Sequence, residues 1–442
     1  MKFALMLGLF IAVSLLLPPA HAAERPNIIV IISDDHGYAD MGCQGIRDDV
    51  QTPNLDRIAS NGVRFTSGYV TSPVCSPSRA GMITGRYQTR FGYEFNTGPF
   101  PEPHIGLPPD EQTIAQYLKE SGYVTGAIGK WHLGIADTYH PLARGFDEFY
   151  GFLSGSRSYF EMTTHHAKPL LRGREPVQEQ GYITDVFTRE AVNFIERHHG
   201  DERPFFLYVA YTAPHLPMHA KQQDLKRFDH IPEKKRQTVL AMIWAMDQGI
   251  GQILDKLREH QLERDTLVVF FADNGGYERN QSLNTPLRGQ KGTLYEGGIR
   301  VPFLMQWPAK LEAGKVYEEP VITLDLLPMF AAAAGFSPPG DKPFDGVNLL
   351  PHLTGEAQKP PHETLFWRYG NSAVRKGNHK LLVIDNTPQL FDLSSDIEEQ
   401  NDLSQKNPAI VQALERELEH WNSHMVPAKW VAQYGDDEEK RP

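Results

Sequence analysis

The sequence predicts an α/β protein with a large, mostly parallel central sheet flanked by helices and a smaller C-terminal antiparallel sheet plus helix. Three observations point there. Five short runs rich in β-branched and aliphatic residues, bounded by Gly and Pro, read as buried strands; helical stretches separate them; and from about Phe344 the texture changes to shorter pieces joined by turns.

The five runs are Asn27 to Ile32, Val124 to Ile128, Phe205 to Val209, Leu267 to Phe271 and Pro302 to Gln306. Asp110 reads as the N-cap of a helix that carries Ile114, Tyr117 and Leu118 and stops at Gly122. A longer helix carries Val239, Met242, Ile243, Met246, Ile250, Ile253, Leu254 and Leu257 at helical spacing. Toward the C-terminus, Leu365 to Tyr369, Ala373 to Arg375, His379 to Ile384 and Gln389 to Phe391 read as strands. A last helix from about Pro408 to His424 sets Ile410, Leu414 and Leu418 on one face. The division that follows is a leader over residues 1–22, a catalytic α/β domain over 23–343 and an α+β subdomain over 344–442, with the polar end from Tyr434 to Pro442 expected to fray.

The leader has Lys2 before an apolar run from Phe3 to Leu17, then Pro18, Pro19 and Ala20-His21-Ala22. That order is a secretory signal peptide cleaved near Ala22, so the protein is expected to be exported, to the periplasm or the medium. A retained anchor is disfavoured because the run falls short of the roughly 20 residues a spanning helix needs, and no other stretch is apolar enough to span. The formal net charge of −11 argues against a nucleic-acid partner and against anionic membrane. Only two cysteines occur, Cys43 and Cys75, and in an oxidising compartment a disulfide between them is the plain use.

In an open α/β sheet, ligands bind beyond the carboxyl ends of the strands. Those positions are rich in functional groups here: Ser33-Asp34-Asp35-His36-Gly37, Gly129-Lys130-Trp131-His132, His215, and Asp273-Asn274-Gly275-Gly276. Any one of them reads equally well as a helix cap or a structural histidine; four at one edge read as a site. Asp34, Asp35, Asp273 and Asn274 supply hard oxygen ligands, and the absence of a Cys or His cluster at zinc spacing points to calcium, with magnesium second. Lys130, His132, His215 and Lys291 add donors and positive charge for an anionic group. Pro77 sets Cys75 at a helix N-terminus, which favours an anion and lowers a thiol pKa, so on the residues alone a thiolate nucleophile stays open beside the disulfide.

Cys75-Ser76-Pro77-Ser78-Arg79, with Gly81 to Gly85 and Arg86 behind it, resembles the C-x-P-x-R element of the type I sulfatases of the alkaline phosphatase superfamily. Gly129-Lys130-Trp131-His132-Leu133-Gly134 and the pairs Asp34-Asp35 and Asp273-Asn274 match the same family. The resemblance implies an alkaline-phosphatase-like fold and a sulfuric ester hydrolase. It further implies that Cys75 is oxidised to formylglycine by a separate formylglycine-generating or anaerobic sulfatase-maturating enzyme, leaving Cys43 without an evident role. In the roles it implies, the hydrated residue 75 attacks sulfur. Asp34, Asp35, Asp273, Asn274 and an oxygen of residue 75 hold one calcium ion. Arg79 and Lys130 position the diol, Lys291 and His215 bind the sulfate, His215 protonates the leaving alcohol, and His132 takes the proton whose loss expels sulfate.

The alcohol side of the ester must be read by variable loops. Phe91 to His104, with Tyr93, Phe95, Phe100 and His104, and Ser154 to Arg174, with Arg157, Tyr159, His165, His166, Arg172 and Arg174, offer aromatic rings and cations suited to a sulfated polysaccharide or oligosaccharide. A phosphoesterase of the same superfamily is disfavoured because it calls for Ser or Thr and a two-metal, histidine-rich site. A binding protein without catalysis is disfavoured by the joint presence of Cys75, Arg79, Lys130, His132, His215 and Lys291.

Overall fold

The computed structural model describes residues 25–98, 102–160, 169–337 and 340–431. The leader Met1 to Ala22, the end from Tyr434 to Pro442, and Phe100, His165 and His166 of the substrate loops lie outside the described residues. The strands are β1 Asn27–Ser33, β2 Val63–Phe65, β3 Gly68–Tyr69, β4 Val124–Lys130, β5 Glu148–Phe152, β6 Leu170–Arg172, β7 Glu175–Val177, β8 Phe205–Ala210, β9 Thr266–Ala272, β10 Phe303–Gln306, β11 Lys315–Tyr317, β12 Val321–Ile322, β13 Thr364–Tyr369, β14 Asn371–Lys376, β15 His379–Ile384 and β16 Thr387–Asp392. The α-helices are α1 Pro53–Ser60, α2 Cys75–Thr84, α3 Ile114–Glu120, α4 Ile183–His198, α5 Gln222–Arg227, α6 Lys234–Glu259, α7 Glu296–Ile299, α8 Leu326–Ala334, α9 Leu350–Leu353 and α10 Pro408–Asn422.

Ten strands form one mixed sheet in the order β11-β2-β10-β9-β1-β8-β4-β5-β6-β7. Its middle, β9-β1-β8-β4-β5, is parallel throughout. Toward the edges β10 runs antiparallel to β9 and β2, and β6 and β7 turn back antiparallel beyond β5. Of the middle strands, β1, β8 and β9 are near-continuous apolar runs because both faces are covered. In β1, Ile28, Val30 and Ile32 enter one core with Ile83 of α2 and Leu118 of α3, while Ile29 and Ile31 enter the other with α1, α4 and α6. The small sheet β13-β14-β15-β16 is antiparallel, and its Leu365, Trp367, Val374 and Leu382 join the first core together with Leu414, Leu418 and Trp421 of α10. Trp367, fully buried, also donates from Nε1 to the Val70 carbonyl at 2.7 Å, tying this sheet to the chain just ahead of α2.

The strand expected from Pro302 forms as β10, antiparallel to both neighbours within a sheet expected to be mostly parallel. One sequence expectation is corrected: the cap expected at Asp110 sits at Thr113 instead. Thr113 Oγ1 accepts from the Gln116 N–H at 3.2 Å while Gln116 Oε1 accepts from the Thr113 N–H at 3.0 Å, a reciprocal pair that satisfies two orphan donors. Asp110, meanwhile, is exposed and held by Lys342. The expectations leave out α4, although Val186, Phe187, Ala191, Phe194 and Ile195 carry helical spacing.

Helix α1 takes its cap from a distant residue. The Thr52 side chain makes no cap bond, and Asp247 in the middle of α6 accepts instead from the backbone N–H groups of Asn54 at 3.0 Å and Leu55 at 2.9 Å. Burial of Asp247 outweighs these donors and pushes its carboxyl up to about 6. With the folded value above the unfolded one, the preference for the protonated fold is complete below about pH 4 and is lost as pH rises through 6. Relative to Asp247→Asn, which does not titrate, the wild type should therefore lose on the order of 2–3 kcal/mol between pH 4 and pH 7. Paired urea denaturation series read this directly, and a stability difference that stays flat with pH would refute it.

Candidate active site

The carboxyl ends of β1, β4, β8 and β9 open toward the start of α2. Backbone bonds lock these ends together: the Asp34 N–H donates to the Ala213 carbonyl and the Asp273 N–H to the Ser33 carbonyl, both at 3.0 Å. Cys75 is the first residue of α2 after the extended Val74, with Pro77 in the first turn, where the missing N–H costs no helical bond. All ten residues of α2 are buried, so this helix is a core element whose N-terminus points into the site. Asp35 and His132 both have a φ of +59°, a left-handed conformation unusual for non-glycine residues and found where surrounding structure over-determines it.

The ten catalytic and metal-ligand candidates of the sequence gather at this edge of the sheet, His132 within the field of Lys130 and Arg79. Cys75 Sγ lies 3.4 Å from Asp34 Oδ1 and 3.9 Å from Asp35 Oδ1. Asp34 Oδ2 receives Lys130 Nζ at 2.6 Å and stands 3.8 Å from Arg79 Nη2. Arg79 spans to Asp273 Oδ2 through Nε at 2.9 Å and Nη2 at 2.7 Å, and its Nη1 donates to the Lys130 carbonyl at 3.0 Å. Lys291 Nζ reaches both oxygens of Asp35 at 3.0 Å, and Asn274 Nδ2 donates to Asp35 Oδ1 at 2.8 Å. His215 Nδ1 donates to the Leu216 carbonyl at 2.6 Å, which turns Nε2 toward Asp35 Oδ2 at 3.6 Å. Ligand atoms of Asp34, Asp35, Cys75 and His215 lie within 4.8 Å of one another.

Charge balance sets the protonation states. Burial alone would raise Asp34, but Lys130, His215, Arg79 and Lys291 around it hold its carboxyl well below the usual range. Burial pushes the Cys75 thiol well up in spite of Lys130 and Lys291, so an unmodified Cys75 is a neutral thiol and the thiolate reading loses its basis. Burial, then Lys130 and Arg79, hold His132 well below its usual value, leaving a neutral ring whose buried Nδ1 has no hydrogen-bond partner among the described residues. Neither cysteine is in a disulfide, which removes the expected Cys43–Cys75 pairing.

The substrate-loop expectations fare differently. Tyr93 is fully buried with its hydroxyl 2.6 Å from Ser76 Oγ, and Tyr159 donates to the carbonyls of Thr212 at 2.7 Å and His215 at 2.9 Å. Both rings are thus supports behind the site. Arg172 pairs with Glu190 and Arg174 with Asp137. Ser76, absent from the sequence-derived set, ties α2 to the turn after β4 by donating to the His132 carbonyl at 2.6 Å; its only sequence signal was its place beside Cys75.

The sulfatase family model matches residues 26–336. The chain belongs to the sulfatase family. Members hydrolyse sulfate esters, and this sulfatase carries a second match, to the C-terminal part of N-sulphoglucosamine sulphohydrolase, over residues 290–424. It is 34% identical over 388 residues to the human N-acetylgalactosamine-6-sulfatase, covering 81% of this chain and 72% of that one. It is 33% identical over 432 residues to the human steryl-sulfatase, covering 78% and 73%. Among solved structures, Ps i-CgsB in complex with k-i-k-neocarrahexaose superposes with a TM-score of 0.88 at 38% identity, over 93% of this chain and 95% of that one.

Removing Lys130 from this sulfatase leaves the Asp34 carboxylate buried without its nearest cation. Lys130→Met should cost about 3–5 kcal/mol of stability, read by urea denaturation in the presence of a chelator; a cost under about 1 kcal/mol would show that Asp34 does not depend on this pair.

Proposed function

We propose that this sulfatase is an exported enzyme that removes sulfate from a sulfated polysaccharide or its oligosaccharides, with Cys75 converted to formylglycine and one calcium ion bound beside it. The observation that carries the reading is the position of Cys75: at a helix N-terminus, against Asp34 and Asp35, grouped with His215, and within the field of Arg79, Lys130 and Lys291.

The donor set fits a hard cation. Asp34, Asp35 and Asp273 offer carboxylate oxygens, and Asn274 Oδ1 is a buried oxygen with no hydrogen-bond partner among the described residues, on the side chain whose Nδ2 donates to Asp35. These four with an oxygen of residue 75 would hold the ion, which when bound supplies positive charge against the sulfate and favours ionisation of the nucleophile. As hydrated formylglycine, residue 75 would supply one hydroxyl to attack sulfur and a second whose deprotonation releases sulfate.

Around that centre the side chains divide the work. Arg79 and Lys130, fixed by Asp273 and Asp34, hold position and charge at residue 75 without needing to reorganise. Lys291 Nζ and His215 Nε2 face the same side of the pocket through Asp35 and take the sulfate oxygens, and His215 Nε2 delivers the proton to the leaving alcohol. His132, neutral and with Nδ1 unpartnered, accepts the proton from residue 75.

The neocarrahexaose bound by Ps i-CgsB supports a carbohydrate as the alcohol. Among the described residues no helix is long and apolar enough to cross a membrane. We take residues 1–22 as a cleaved leader that exports the chain to the periplasm or the medium, 23–343 as the catalytic domain and 344–442 as the C-terminal subdomain. Maturation would require a formylglycine-generating or anaerobic sulfatase-maturating enzyme in the host.

Sulfate release from neocarrahexaose and from N-acetylgalactosamine 6-sulfate, followed by ion chromatography, tests the substrate; release from neither, by protein active on an aryl sulfate, would overturn the carbohydrate assignment. Cys75→Ala should lower kcat about 10⁴-fold or more with the fold retained, and residual turnover near wild type would exclude Cys75 as the nucleophile. Chelation should abolish turnover and lower the Tm, with calcium restoring both; full activity in the chelated, metal-free protein would remove the ion from the mechanism.

A further inference from the structure

A second buried charge cluster lies under the loop that presents Lys291, and it draws its central residue from the C-terminal sheet. Lys380 on β15, fully buried, places Nζ 2.9 Å from Glu296 Oε1 and 2.8 Å from Glu399 Oε1. Glu296 opens α7, at the far end of the loop, and its other oxygen accepts from the Tyr69 hydroxyl at 2.6 Å and faces Arg300 at 3.3 Å. Glu399 Oε2 accepts from the Glu296 N–H at 2.7 Å, and the Glu399 carbonyl accepts from Arg288 Nη1 at 2.7 Å. One residue of the C-terminal unit thus grips both ends of the segment from Arg288 to Glu296.

The loop between those ends has little freedom. The Gly297 N–H donates to the Arg288 carbonyl at 2.7 Å and closes it on itself, and Gly297 and Gly298 have no room for a Cβ. Its middle touches the site twice: the Lys291 N–H donates to the Gly276 carbonyl at 3.1 Å, and the Gly292 N–H donates to the Pro73 carbonyl at 2.9 Å, two residues ahead of Cys75. Glu399 itself is fully buried with a φ of +52°, a left-handed conformation that persists in a non-glycine residue where the surroundings fix it.

We infer that Lys380 is a positioning residue for sulfate binding: by neutralising Glu296 and Glu399 together, it sets the loop that carries Lys291 against Asp35. The inference rests on the reading that Lys291 binds the sulfate. Without Lys380, Glu296 keeps Arg300 and Tyr69, but Glu399 loses its only ion-pair partner among the described residues and the bridge between the two side chains is gone, so the loop ends are no longer held at one spacing. A displacement of about 1 Å at a group that orients substrate costs on the order of 100-fold in rate.

The test is a double-mutant cycle of Lys380→Met with Lys291→Ala in the mature enzyme. It reads kcat and KM for an aryl sulfate, inhibition by inorganic sulfate, and the cooperativity of thermal melting. Lys380→Met should keep a cooperative melt, raise KM and the sulfate inhibition constant about tenfold or more, and add nothing in the Lys291→Ala background. Unchanged kinetics, or effects that multiply in the double variant, would overturn the inference. If Lys380→Met does not fold, Glu399→Gln takes its place with the same criteria, since it keeps the shape and removes one charge. Lys291→Ala alone separates the two ideas: with no effect on sulfate inhibition it is the role of Lys291 that fails, and with a clear effect but an independent Lys380 it is the coupling.

Discussion

The catalytic end of this protein depends on pairing three buried carboxyl groups, Asp34, Asp35 and Asp273, with cations. A buried carboxylate survives only with charge beside it, and the structure supplies Lys130 and Arg79 to Asp34, Arg79 to Asp273 and Lys291 to Asp35 at hydrogen-bonding or ion-pair distance. Each of these groups enters from a different element: β1 and its following turn, α2, the end of β4, the turn after β9, and the loop before α7. The parallel middle of the sheet makes that convergence possible, because it points the carboxyl ends of β1, β4, β8 and β9 the same way.

The same balance decides what Cys75 can be. A helix start and two lysines favour an anion, yet burial outweighs them and leaves the thiol protonated. An unmodified Cys75 would thus be a weak nucleophile in the best-furnished position of the molecule. Conversion to a hydrated aldehyde would replace a soft, neutral sulfur with oxygens that match the carboxylate donors and the cations already in place, which is the physical case for the proposed modification.

Much of this was legible in the sequence. Of the middle strands, β1, β4, β8 and β9 come out within two residues of their observed limits, because burial on both faces makes them apolar runs, whereas β5, Glu148–Phe152, with its Gly and aromatic residues, was not anticipated. The candidates Asp34, Asp35, Lys130, His132, Asp273 and Asn274 were legible because they end or closely follow those strands, in clusters that a helix cap alone does not explain, while Cys75 and Arg79 stood out through the C-x-P-x-R resemblance. Distances and pairings were not. The edge strands β6, β7 and β11 have three residues each and no pattern to read. Asp110 looked like a cap because it precedes a helix, but Lys342, more than two hundred residues away, holds it. Tyr93 and Tyr159 looked available for a sugar, and only the fold shows them turned inward. Lys380, Glu296 and Glu399 carry no local signal, since each is a lone charged residue until the chain brings them together.

The most direct measurement on the central claim is peptide mass spectrometry across Cys75 in protein exported from a host that matures sulfatases. The account predicts a residue about 18 Da lighter than cysteine, the change from –CH2SH to –CHO, in the population that hydrolyses sulfate esters. An unmodified thiol in fully active protein, or a disulfide to Cys43, would contradict it.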